Sequence, residues 1–454
     1  MIGRARIPTD RYAHSWRRLV VGASRLAVLG PGLLAACAGG AIDLDELSVA
    51  TTSTVAPSTP TSMATSTSIR REGSVSGPVD PYEVVAVPSF APSPVIPDPV
   101  DLAMGRLTLE QKVGQLIVAA VWGTDAVAVR PVDVALNQGV GRADTPAEVV
   151  ALQGIGGVLY LQRNVDDGAQ VAALSAGLQA AAAPSGIGLL IAVDQEGGRV
   201  NRVSDGATRF QSARELAGDS VAVRSSAAVT AMEMLAMGVN VVLAPVADVT
   251  DSHDGIIGDR SYGGDPNLVA EMVAASIDGL QAGDGGGPGA AAAVKHWPGH
   301  GATDVDSHRG LPVIPVDEPT WRARERVPFA AAVAAGVDVV LVGHLAFPGI
   351  DPTGEPATVS AILIDGYLRG DLGFQGVVMT DALDMGAVAG YERGELVVWS
   401  IAAGADILLA PPDVQLAREA LVNAVTTGRL TMERIDASVE RILRLKLELG
   451  IPVS

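Results

Sequence analysis

Eight short apolar runs recur along the chain with little polar interruption. They are Leu116 to Val121, 154–161 (GIGGVLYL), 186–193 (GIGLLIAV), 238–247 (GVNVVLAPVA), 290–294 (AAAAV), 336–343 (GVDVVLVG), 376–380 (GVVMT) and 404–410 (GADILLA). Each is short and lacks the apolar–polar alternation of a half-exposed strand, so each predicts a strand buried on both faces. Stretches long enough for a helix separate them. Eight such strands predict an α/β fold with a parallel sheet, and the number favours closure into a single (β/α)8 TIM-type barrel over an open doubly wound sheet. Thr108-Leu109-Glu110-Gln111 fits a capping box at the first helix. The segment MERIDASVERILRLKLELG, with Gly450 at its end and Pro452 beyond, predicts an amphipathic closing helix. No GxGxxG opens a helix after any strand, and GDGGGPG at 283–289 is a loop without that context, so a nucleotide fold has little support.

The chain ahead of the barrel reads differently. Arg17 and Arg18 precede an apolar run from Leu26 to Ala36 that is too short to span a bilayer, and Leu34-Ala35-Ala36-Cys37 resembles a bacterial lipobox. This predicts a lipoprotein signal peptide over residues 1–36, cleavage before Cys37, and lipidation of Cys37. The alternative is a plain secretory signal with an incidental cysteine. Residues 51–70 contain twelve Ser or Thr and residues 51–100 nine Pro, a composition that buries little apolar surface. Residues 37–100 therefore predict a disordered Ser/Thr/Pro-rich linker that holds a catalytic domain, 101–454, away from a membrane surface. With one cysteine, no internal disulfide can form.

Composition narrows the function classes. At 454 residues and 48% hydrophobic, the chain is large enough for an enzyme-sized core. Its formal charge of -19, with no basic run, argues against nucleic acid as a partner.

Charged groups repeatedly close the apolar runs: Asp194-Gln195-Glu196 after the third, Asp248 after the fourth, Lys295-His296 after the fifth, His344 after the sixth and Asp381 after the seventh. In a parallel barrel these positions converge on one rim, where active sites of this architecture are built. Chemistry is densest in KHWPGHGATDVDSH, 295–308, which holds three of the chain's six histidines. Zinc ligation by His296, His300 and His308 is disfavoured, because Pro298, Gly299 and Gly301 exclude the helical i, i+4 face of a metalloprotease motif and no cysteine is near. Two readings remain: histidines that merely hydrogen-bond within a packed loop, or a catalytic pair. In the second, Asp306 and His308 point the same way in an extended segment, so that the carboxylate orients the imidazole.

KHWPGHGATDVDSH, with DQEGGRV upstream, IIGDRSY between and MTDALDM downstream, resembles glycoside hydrolase family 3, specifically its single-domain bacterial β-N-acetylglucosaminidases. The resemblance runs from about Asp101 to Ser454, so the second α/β domain of the longer β-glucosidases is not expected. It implies a retaining hydrolase that releases terminal, non-reducing β-linked N-acetylglucosamine from muropeptides or related glycosides. Asp381 would be the nucleophile, His308 the general acid/base and Asp306 its partner. Asp194 would accept hydrogen bonds from sugar hydroxyls, while Arg202, Arg260, Lys295 and His296 would donate to hydroxyls or the acetamide oxygen. No cofactor is implied and no metal is expected; the chain is expected to be a monomer, which the lipobox at Cys37 would anchor to the outer face of the cytoplasmic membrane. Ala302 departs from the aspartate often found in the family's GHGD and puts only a loop contact in doubt.

Alternatives within the family are phosphorolysis, since a histidine repels an incoming anion less than a carboxylate does, and β-glucosidase activity. From another class comes a tethered sugar-binding lipoprotein without turnover, which would need neither Asp381 nor the Asp306–His308 pair. Finally, Gly299 and Gly301 predict a loop that moves, with His308 away from Asp381 when no sugar is bound.

Overall fold

All eight apolar runs form strands, and they lie side by side in chain order. The computed structural model describes residues 98–283 and 287–454. The expected signal peptide, Cys37 and the expected linker as far as residue 97 lie outside the described residues. Strands β1 (Ile117–Ala120), β2 (Gly157–Tyr160), β3 (Leu190–Val193), β4 (Val241–Val242), β5 (Ala291–Trp297), β6 (Val339–Val342), β7 (Val377–Thr380) and β8 (Leu408–Leu409) each pair with their sequence neighbours, all parallel. β8 returns to β1 through Ile117 opposite Leu408 and Val118 opposite Leu409. A parallel bridge between Met379 and Ile407 joins β7 to β8, so the ring closes as a TIM-type barrel.

Every residue of the eight strands is buried. Their runs are continuous because one side faces the barrel interior and the other the surrounding helices. Those helices carry the expected end signals. Thr108 accepts from the Gln111 N–H at 3.3 Å, and its own N–H donates to Gln111 Oε1 at 2.9 Å, completing the capping box of Leu109–Gln115. The closing helix, Met432–Glu448, buries Ile435, Val439, Ile442 and Leu443 at helical spacing and is followed by Gly450 at φ 70°. Ahead of the barrel, Asp98 accepts from the Val100 N–H and caps the helix Pro99–Met104.

Two departures from a plain barrel shape its C-terminal rim. Behind β3, Gln195–Gly197 and Val200–Asn201 form a small antiparallel hairpin. In β5 the register against β6 shifts between Val294 and Trp297, so the strand runs on through Lys295 and His296 instead of stopping before them. Strict alternation would send these two side chains to opposite faces; across the irregularity both line the same cavity. Behind them Trp297, Trp321 and Phe329 pack edge to face, and the Trp321 indole N–H donates to the Pro298 carbonyl at 2.9 Å.

Candidate active site

The rim residues gather around a cavity of about 560 Å³ at the C-terminal ends of the strands. Asp194, Arg202, Arg260, Lys295, His296, His308 and Asp381 all line it, so seven of the eight site residues singled out from the sequence of the barrel meet in one place. The eighth, Asp306, is held against His308.

The floor is a chain of alternating charges. Lys295 Nζ lies 2.7 Å from Asp194 Oδ1 and 2.6 Å from Glu196 Oε1. Arg260 grips Glu196 with two N–H donors, Nε to Oε2 and Nη2 to Oε1, both at 2.8 Å. Arg202 Nη2 donates to Asp194 Oδ2 at 3.3 Å. Burial by itself would raise the pKa of Glu196, but Lys295 and Arg260 hold its carboxyl far below the usual range; Lys295 does the same for Asp194. For Lys295 burial pulls the other way, and Asp194 and Glu196 outweigh it, so the ammonium stays charged.

Glu196 is the hub of this set, and its importance is not visible in the sequence beyond its place two residues after Asp194. It is sandwiched between cations 64 and 99 positions away, a pairing that only the closed barrel creates. Glu196 and the Ile256 carbonyl take three of the five N–H donors of Arg260, Nε and Nη2 going to Glu196 and Nη1 to Ile256 at 3.1 Å, and the guanidinium still lines the cavity.

His296 is oriented from behind. Its Nδ1–H donates to Asp248 Oδ2 at 2.6 Å, which leaves Nε2 as the ring's acceptor face, 3.5 Å from Arg260 Nη2. Asp248 is fully buried; burial opposes its charge, but His296 keeps its carboxyl below the ordinary range. The same carboxylate also accepts the His300 backbone N–H at 2.6 Å. His344 is spent structurally, since its Nε2–H donates to the Ala382 carbonyl at 3.0 Å and Nδ1 meets Thr358 Oγ1 at 2.6 Å. Among the described residues, no three His, Cys, Asp or Glu side chains gather to hold a metal ion.

Asp381 follows β7 directly. Its Oδ1 accepts from the neighbouring Ala382 N–H at 2.8 Å, and it caps no helix; the next helical turn, Gly386–Val388, starts behind Met385. Across the cavity rim, Asp306 Oδ1 accepts from His308 Nδ1–H at 2.8 Å and from the His308 backbone N–H at 3.0 Å. The pair forms as expected, but on a turn instead of an extended segment: the N–H groups of Arg309 and Gly310 both reach back to the Asp306 carbonyl. An aspartate accepting from the backbone two residues ahead nucleates such a turn. Burial opposes ionisation of Asp306, and the hydrogen bonds from His308 more than offset it, holding the carboxyl below its usual value.

The turn is tied to the segment that follows Asp381. Gly386 N–H donates to the His308 carbonyl and Ala387 N–H to the Ser307 carbonyl, both at 3.0 Å. The glycines ahead of the turn pack against other elements: a Cβ at Gly301 would collide with the Val249 carbonyl, and one at Gly299, whose φ is 128°, would lie 2.8 Å from Glu325.

Comparison with known proteins places this geometry in a family context. Residues 108–445 match the family described as Glycosyl hydrolase family 3 N terminal domain. The chain is 32% identical over 334 residues to a beta-hexosaminidase A of Pseudoalteromonas piscicida, covering 67% of this chain and 55% of that protein. It is 33% identical over 309 residues to a beta-hexosaminidase of Nitrosomonas eutropha, covering 64% and 85%. A solved structure, a glycoside hydrolase family 3 beta-N-acetylglucosaminidase from Paenibacillus sp. str. FPU-7, is similar with a TM-score of 0.68 at 40% identity, covering 76% of this chain and 63% of that one. Against the Pseudoalteromonas protein, the matched region is little more than half of that relative's length.

Proposed function

Because the chain belongs to glycosyl hydrolase family 3, we propose that it is a retaining β-N-acetylhexosaminidase that removes terminal, non-reducing β-linked N-acetylglucosamine from cell-wall fragments or related glycosides. The observation that carries this reading is the presence, around one cavity, of a carboxylate at Asp381, whose Oδ1 accepts from the Ala382 N–H, and an Asp306-oriented imidazole at His308, beside a charged floor.

The division of labour follows from the groups. Asp381 attacks the anomeric carbon, the bond to the aglycone oxygen breaks, and that oxygen takes the proton of His308 Nε2. Asp306 keeps hold of Nδ1–H throughout, so Nε2 is the nitrogen that gives and takes protons. In the second step the same Nε2 removes a proton from water, the water oxygen bonds to the anomeric carbon, and the Asp381 carboxylate departs. Asp194, Arg202, Arg260, Lys295 and His296 supply acceptors and donors at the floor for the sugar's hydroxyl and acetamide groups, Arg260 also holding Glu196 and facing His296. Anchoring to the outer face of the cytoplasmic membrane through Cys37 belongs to the same reading. It rests on the sequence around Cys37, and Cys37→Ala should release the protein from the membrane fraction or leave the precursor uncut.

A second reading, phosphorolysis, is favoured by two features: the proton-transfer group is an imidazole, and Arg199 and Arg202 stand in the same cavity lining. Assaying the purified chain on chromogenic N-acetylglucosaminide and glucoside, with and without phosphate, decides among these. Free N-acetylglucosamine at an unchanged rate in phosphate supports hydrolysis, glycosyl phosphate supports the second reading, and preference for the glucoside removes the hexosaminidase assignment.

A further inference from the structure

His300 lines the same cavity as the catalytic set but has no part in the chemistry described above. It is 2% exposed, its ring lies edge-on to His296 with centroids 5.7 Å apart, and its backbone N–H is fixed by the Asp248 carboxylate. Its one side-chain partner is Ser307 Oγ, 3.1 Å from Nε2, while Nδ1 is buried without a partner. A buried N–H without an acceptor costs more than a buried lone pair without a donor, so the proton sits on Nε2 and His300 donates to Ser307. Burial, and then His296, push the imidazole toward its neutral form, in keeping with one donor and one idle acceptor.

Ser307 is the residue between Asp306 and His308. It is 3% exposed, and it is held twice: its side chain by His300 from below, and its carbonyl by the Ala387 N–H from the Asp381 side. Asp248 therefore reaches in two directions. One oxygen orients His296 at the sugar-binding floor; the other fixes the backbone of His300, which in turn holds the turn carrying the acid/base pair.

We propose that His300 and Ser307 are a positioning pair, whose hydrogen bond sets the Asp306–His308 turn against the Asp381 loop and ties the placement of the proton donor to the sugar-facing His296–Asp248 pair. Neither residue carries out chemistry. The proposal rests on the glycosidase reading above for its kinetic consequence, but its structural consequence stands without it.

Three variants test it. Ser307→Ala removes the acceptor, His300→Asn withdraws the donor because the side chain is too short, and His300→Gln places an amide N–H where Nε2 was. A misplaced proton donor slows departure of poor leaving groups and spares good ones, so Ser307→Ala and His300→Asn should each lower kcat/KM about tenfold or more for alkyl glycosides while leaving release of a dinitrophenolate within about twofold. The double variant should be no worse than the worse single one, since both break the same bond. His300→Gln should recover most of the loss. Equal losses for good and poor leaving groups, or additive losses in the double variant, overturn the pair. Hydrogen exchange read by mass spectrometry on the full chain tests the contact independently of any substrate. Amides of residues 306–310 should exchange faster in Ser307→Ala and His300→Asn but not in His300→Gln, and unchanged exchange in the first two also overturns it. Asp381→Asn in the same assays keeps the two failures apart. If Asp381→Asn is fully active, the glycosidase reading falls and the exchange result alone judges the pair; if it is inactive while the pair variants behave as wild type, only the pair falls.

Discussion

Lys295 and Lys446 are both buried, at 3% and 0% exposure, and they sit at opposite ends of the same barrel. Lys295 stands at the C-terminal rim between two carboxylates, and the ammonium is retained there. Lys446, on the closing helix, reaches Gln115 just ahead of β1, and its Nζ donates to the Gln115 side-chain oxygen at 2.7 Å. A neutral amide does not compensate a buried charge, and burial pulls the Lys446 pKa down to about 7. The rim thus spends buried charge in compensated chains that leave donors and acceptors facing the cavity. At the base, charge is either neutralised, as in Lys446, or consumed in holding elements together: the buried Asp406 takes Arg369, Arg441 and the Ser438 hydroxyl. The same residue type is functional at one end and structural at the other because of what faces it.

The sharpest way to break this division is to make a rim change that costs activity and no stability. Asp381→Asn keeps the shape and the acceptor for the Ala382 N–H while removing the charge that attacks the sugar. It should lower kcat by a factor on the order of 10³ or more with little change in Tm. Trapping a glycosyl-enzyme with a fluorinated sugar and finding the label elsewhere would refute the assignment. His308→Ala is the next largest effect. It should cost about 10²- to 10⁴-fold for poor leaving groups and far less in the first step with a dinitrophenyl glycoside. An equal loss across leaving groups, in a pre-steady-state comparison, returns His308 to the packed-loop reading.

How much of this could be read from the chain differs between the two ends as well. The barrel was legible because parallel strands covered on both faces leave uninterrupted apolar runs, and the helix ends because Thr108, Gln111 and Gly450 act on their immediate neighbours. The rim positions of Asp194, Lys295, His296 and Asp381 followed from their place just after such runs. Their roles did not: those came from the resemblance of the motifs. What stayed hidden depends on contacts distant in sequence. Glu196 looked like one acidic residue in a polar stretch, and its bond to Arg260 exists only once β3 and the loop after β4 are neighbours. Nor does the sequence show the Val249 backbone pressed against Gly301, which leaves no space for a side chain there. At the base, nothing in MERIDASVERILRLKLELG marks Lys446 as inward-facing except its helical register with Ile435, Val439 and Ile442.

The two lysines give a direct contrast. Lys295→Met leaves Asp194 and Glu196 without their shared cation, and should lower kcat/KM about a hundredfold and stability by about 3–5 kcal/mol. Lys446→Met combined with Gln115→Leu removes a buried amine and its amide partner together, and should leave kcat unchanged while raising stability at pH 7. The folded-state pKa of Lys446, about 7, lies below its unfolded value, so its contribution is fully present above about pH 10 and is lost as pH falls toward 7. Wild type should therefore gain stability between pH 7 and 10, and the double variant should lose that slope. A double variant less stable than wild type at pH 7 would mean that the amine is doing structural work the comparison denies it.

The smallest expected effect comes from a third base residue and sharpens the same point from the acid side. Asp338 lies just before β6, partly buried, with Oδ2 accepting the Ala292 N–H at 3.3 Å and, among the described residues, no salt bridge. Burial raises its pKa to about 6, the hydrogen bond from Ala292 opposing only in part. A carboxyl whose folded-state pKa is raised favours the fold in its protonated form, so its contribution is full below about pH 4 and is lost as pH rises through 6. This window lies below that of Lys446 and has the opposite slope, and the two groups together predict their weakest support for the fold between pH 6 and 7. Asp338→Asn keeps an oxygen for the Ala292 N–H and removes the charge. It should add about 1–2 kcal/mol at pH 7, allowing for the water that reaches a partly exposed group, and nothing at pH 4. Urea unfolding at both values reads the difference, with activity as the control. Equal gains at pH 4 and pH 7 would trace the effect to packing, and a fall in kcat would show that the base of the barrel is not separable from the chemistry at its rim.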